Sequence, residues 1–80
     1  MMMRCIVIEL ADRYLDELDY DRAIAAYKEA IKIDPGQVDA YLGLAQAYEE
    51  SGDIEAAIRI LEDGYKETES KRIKKRLEKR

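Results

Sequence analysis

The 80-residue chain has no histidine, no tryptophan and no phenylalanine, and it holds one cysteine and one proline. Each shortage removes a class of chemistry. Without an imidazole there is no ready general base near neutral pH and no histidine-ligated metal centre. A lone Cys5 excludes an intramolecular disulfide, and nothing around it lowers a thiol pKa, so it reads as a small apolar packing residue. No glycine-rich strand-to-helix loop is present to cradle phosphate, and Ser51 and Ser70 stand at helix boundaries with no base implied beside them. No catalytic, cofactor-binding or metal-ligating residue is expected, and the chain reads as a non-enzyme. Long apolar runs are missing too. The opening "MMMRCIVIEL" is interrupted by Glu9, too soon for a signal peptide or a membrane span, so a cytoplasmic protein without membrane contact is expected.

What is present is charge and helix-forming sequence. Charged residues make up 40% of the chain and the apolar share comes from Ile, Leu, Ala and Tyr, which favours a soluble helical protein over a sheet or a disordered segment. With 18 acids, pairs such as Asp12/Asp16 and Glu49/Glu50 arise freely on solvated helix faces. The stretch "DELDYD", Asp16 to Asp21, lacks the central glycine and distal glutamate of a calcium loop.

A shift of 34 residues aligns residues 4–37 with 38–71 and makes seven positions identical: Leu10/Leu44, Ala11/Ala45, Tyr14/Tyr48, Asp19/Asp53, Ala23/Ala57, Ile24/Ile58 and Lys32/Lys66. Each copy reads as two helices. In the second, Tyr41, Leu44, Ala45 and Tyr48 share one helical face, Ser51-Gly52 stops it, and Asp53 is placed to cap the next helix. Ile54, Ala57, Ile58, Leu61 and Tyr65 then recur along one side. In the first copy Asp19 opens a helix carrying Ala23, Ile24, Tyr27, Ala30 and Ile31, and Asp34-Pro35-Gly36 ends it. Small residues at Ala23, Ala30 and Ala57 let the paired helices approach closely, and the bulky Tyr14, Tyr27, Tyr48 and Leu61 fill the space left, which specifies a helical hairpin of fixed geometry.

"AYLGLAQAYEESGDIEAAIRILEDG" and "DYDRAIAAYKEAIKIDP" resemble tetratricopeptide repeats over residues 4 to 71. The resemblance implies an all-α solenoid forming one domain over residues 1–80: a repeat at about 4–37, another at about 38–71, and a basic C-terminal helix at about 70–80. Leu10, Ala11, Tyr14, Ala23, Tyr27, Ala30, Pro35, Tyr41, Leu44, Ala45, Tyr48, Gly52, Ala57 and Leu61 carry the signature. Several positions depart from it. Val7 stands where the family favours Trp, Leu18 replaces the glycine found at Gly52, Gly64 replaces the alanine found at Ala30, and Thr68-Glu69 replaces the Asp34-Pro35 stop.

The resemblance further implies protein–protein interaction through a concave face lined by the first helix of each repeat. Carried over, that lining is Cys5, Ile8, Glu9, Asp12, Leu15 and Asp16 with Asp39, Leu42, Gly43, Gln46, Glu49 and Glu50. These residues include several acids and no Lys or Arg, so the face suits a basic, amphipathic peptide or partner helix anchored on Ile8, Leu15 and Leu42.

The chain ends on a charge reversal. Residues 71–80 hold seven basic residues against one acid, whereas the seventy before them hold seven against seventeen. Ile73 and Leu77 share a face, so the segment reads first as a capping helix; burying both would contribute roughly 3–6 kcal/mol before ordering costs. Next stands an intermolecular contact, in which the tail or an uninterrupted fourth helix exchanges into a homodimer with no free ligand groove. Nucleic-acid binding ranks last, because no aromatic residues interleave the basic run and the acidic body repels phosphates.

Overall fold

The computed structural model describes the backbone of residues 2–78 and the side chains of residues 7–78. It contains five helices, α1 (Met2–Asp16), α2 (Tyr20–Ile33), α3 (Val38–Ser51), α4 (Ile54–Thr68) and α5 (Lys71–Glu78), and no strand among the described residues. Helices α1 and α2 form one hairpin and α3 and α4 a second; α2 packs on α3 to join them, and α5 folds back against α4 and touches α3.

The two hairpin turns are built alike. Asp19 Oδ1 accepts from Arg22 N at 3.4 Å and Asp53 Oδ1 from Ala56 N at 3.2 Å, so each aspartate caps the first turn of its helix. Before them, Asp19 N donates to Tyr14 O and Asp53 N to Tyr48 O, both at 2.8 Å. Such a closure needs a left-handed residue between the helices. Gly52 supplies it at φ 98 and Leu18 at φ 62, so the leucine carries a backbone conformation that glycine adopts without penalty. Pro35 follows the end of α2, where Asp34 N still bonds to Ala30 O at 2.9 Å.

Two clusters make the core. Ala11, Leu15, Ala23, Tyr27, Leu44 and Ala47 fill the space among α1, α2 and α3, while Tyr41, Ala45, Ala57, Leu61 and Ile73 do so among α3, α4 and α5. Ile31, Tyr48 and Ile60 edge both, so the apolar interior is continuous. Ala30 is buried as the small-residue pattern predicts, Tyr14 and Tyr48 are half-buried, and Pro35 is exposed. Glycine extends the same device. A Cβ on Gly64 would lie 2.7 Å from the Tyr41 ring and 3.0 Å from Ile73 Cδ1, and one on Gly43 would lie 2.7 Å from Tyr27 Oη. Each tyrosine ring therefore occupies the volume of a missing methyl group.

Three packing expectations need correction. Leu10, aligned with the fully buried Leu44, is 45% exposed, because no described element packs on its side of α1. Ile54 and Tyr65 share the apolar stripe of α4 in sequence yet are 49% and 36% exposed. They sit at the ends of a helix whose buried face is set by Ala57, Leu61 and Gly64.

In the C-terminal segment, Ser70 precedes α5 and its Oγ accepts from Arg72 N at 3.2 Å. Ile73 is fully buried and Leu77 partly buried in the second cluster. Helix α4 stops at Thr68 without a proline, through the left-handed Glu69 at φ 52 and a bond from Thr68 Oγ1 to Gly64 O at 2.7 Å.

Candidate functional site

Because α1 and α3 are the first helices of the two hairpins, their inner faces lie side by side. Between them is a cleft of about 450 Å³ lined by Ile8, Asp12, Leu15, Asp16, Tyr27, Asp39, Leu42, Gly43 and Gln46. Eight of these nine are residues that the sequence assigned to the concave face. The helical spacing of Ile8, Asp12, Leu15 and Asp16 on α1 and of Asp39, Leu42, Gly43 and Gln46 on α3 puts each set on one face.

Some assigned residues take other places. Leu15 belongs to the core, at 8% exposure, and only its edge reaches the cleft. Glu9 is exposed outside the lining. Glu50 accepts a hydrogen bond from Gln46 Nε2 at 2.8 Å at the margin, and Glu49 lies farther along α3, paired with Arg76 of α5. The Cys5 side chain lies outside the described residues.

The sequence pattern gives Tyr27 a packing role alone. Its ring is almost wholly buried, yet its hydroxyl reaches the cleft and donates to the Asp12 carboxylate. Burial first, then the hydrogen bond and the negative charges of Asp12, Asp16 and Glu50, push this phenol well above its ordinary value, so it remains a neutral donor across the physiological range. Gly43 makes the position available, since any side chain there would collide with the ring. The one glycine inside the third helix, facing a tyrosine on the preceding one, was the available sequence signal.

The inner face also has basic residues, delivered by α5. Arg72 pairs with Asp39 at 3.1 Å and Arg76 with Glu49. The first pair is exposed on both sides and contributes little to stability; the second is about two-thirds buried. Neither pair is legible in the linear sequence, because each joins α3 to α5 across the whole of α4.

On the outer side, Lys28, Ile31, Tyr41, Leu44, Ile60, Asp63, Lys66 and Glu67 line a second depression of about 300 Å³. Its rim balances two lysines against two acids, so it carries no charge preference comparable to that of the inner cleft. Among the described residues no three His, Cys, Asp or Glu side chains come together as metal ligands, and no helix is long and apolar enough to cross a membrane.

Comparison with known proteins agrees with this architecture. Superkiller protein 3 of Saccharomyces cerevisiae is 33% identical over 49 residues, which is 61% of this chain and 3% of that protein's length. A family model described as tetratricopeptide repeat matches residues 14–74, from the last turn of α1 through α2, α3 and α4 into α5. The chain belongs to the tetratricopeptide repeat family.

Proposed function

We propose that the chain is a non-catalytic protein–protein interaction module whose inner cleft takes a basic, amphipathic peptide or helix from a partner protein. The observation that carries this reading is the composition of the cleft. Asp12, Asp16 and Asp39 stand around apolar surface from Ile8, Leu42 and the edge of Leu15. Apolar anchors supply most of the affinity of such a site, while the acids speed encounter and reject acidic competitors.

The chain's own α5 illustrates the ligand chemistry. It is a basic helix that buries Ile73 and Leu77 and sets Arg72 and Arg76 against two acids of α3. One of these, Asp39, also lines the cleft.

The test is titration of the full chain with a synthetic helical Lys/Leu peptide, followed by calorimetry. Binding should weaken about tenfold or more in Asp16→Lys, which reverses a charge inside the cleft. Glu9→Lys, outside the lining, should bind nearly as the wild type does. If the peptide fails to bind, or if both variants lose affinity equally, the cleft is not the binding site.

A further inference from the structure

The junction between α4 and α5 offers a second way to satisfy the same contacts. Two helices meet there through Glu69 and Ser70, with no proline and no glycine to enforce a break. The turn depends on Glu69 at φ 52 and ψ 34, a left-handed conformation unfavourable for a residue with a Cβ. Moving that residue into the right-handed helical region would join α4 and α5 into one helix of about 25 residues, roughly 37 Å long. No residue from Ile54 to Glu78 forbids it.

Extension would empty a seat of defined chemistry. Its floor is Tyr41, Ala45, Ala57 and Leu61, and its rim carries Asp39 and Glu49. Ile73 lies against Gly64 near the turn, and Leu77 joins the cluster that includes Ile60, so α5 runs antiparallel to α4. Two extended copies laid antiparallel would place each α5 on the other's seat with the same side-chain pairs. We propose that the chain forms an exchanged homodimer, in which Glu69 becomes helical and α5 of each copy occupies the seat formed by α3 and α4 of the other.

The second copy is favoured over a foreign helix because the seat already matches this α5 residue for residue. Exchange conserves the α5 contacts and relieves one left-handed residue per chain, so concentration sets the balance. The inference rests on the α4–α5 junction and shares only Asp39 with the inner cleft.

The experiment is sedimentation equilibrium of the full chain, refolded at low and at high protein concentration, for the wild type and two hinge variants. Glu69→Gly makes the closed turn easier and should weaken the dimer by roughly tenfold or more. Glu69→Ala combined with Ser70→Ala removes the Ser70 cap of α5 and favours the continuous helix, so its dimer should be tighter than that of the wild type. To identify the contact, Asp39→Cys and Arg72→Cys are combined in a Cys5→Ser background and joined with a short bis-maleimide, which spans the reach of the arginine arm as a disulfide does not. Exchange gives crosslinks between chains in the dimeric fraction, read on a denaturing gel. The proposal is overturned if all variants remain monomeric at every concentration, if the hinge variants do not bracket the wild type, or if the dimer carries its crosslinks within single chains.

Discussion

The two hairpins share a unit of 34 residues and differ in what lies next to them. Leu10 and Leu44 hold the same place in that unit, yet one is 45% exposed and the other is sealed against α2 of the first hairpin. Leu18 and Gly52 hold the same left-handed turn, one with strain and one without. In this architecture a repeat position fixes direction, and the neighbouring element decides whether that direction is buried. Stability is therefore shared between the hairpins and their interfaces.

The sharpest way to break the comparison is to truncate the aligned leucines. Leu44→Ala should destabilise the fold by about 3 kcal/mol, through lost burial and a cavity, whereas Leu10→Ala should cost under about 1 kcal/mol. Urea unfolding measures both, and equal losses would mean that another element covers Leu10. Gly43→Ala comes next. It forces a methyl group against the Tyr27 ring, with an expected loss of about 1–3 kcal/mol in the same assay and a displaced Tyr27 resonance by NMR.

The paired turns should respond with opposite signs. Leu18→Gly is expected to stabilise by roughly 1 kcal/mol, because the leucine is 64% exposed and gives up little burial. Gly52→Ala should destabilise by a similar amount. Thermal melts showing the same sign for both would remove the equivalence of the two turns.

The smallest effect is a pH slope. Tyr27 and Tyr41 are both raised above the ordinary tyrosine value of 10.0, chiefly by burial. The unfolded phenols therefore ionise first as pH rises. Their contribution to stability is complete below pH 10 and falls above it. Tyr27→Phe should make that alkaline decline shallower, and an unchanged slope would show that Tyr27 titrates normally in the folded chain.

Much of the hairpin architecture could be read from the chain because it is local. Asp19 and Asp53 cap the helices that they immediately precede, and Ala23, Ala30 and Ala57 recur at helical spacing opposite larger residues. Eight of the assigned concave residues meet for the same reason, as faces of two helices. The parts that were not legible depend on distant partners. Exposure of Leu10 depends on what lies beyond α1, the Tyr27 hydroxyl reaches the cleft only because Gly43 lets the ring through, and Arg76 finds Glu49 only after the chain has turned at Glu69. Even the end of α4 depends on one backbone angle that no residue type there demands.

Tyr27 also gives the molecule an optical consequence. With no tryptophan among its residues, the chain emits only through six tyrosines. One of these has its ring in the core and its hydroxyl bound to a carboxylate at the cleft. Proton transfer to such an acceptor in the excited state quenches phenol emission. A cation that draws Asp12 away should therefore brighten the protein, so the cleft contains its own unlabelled reporter of occupancy.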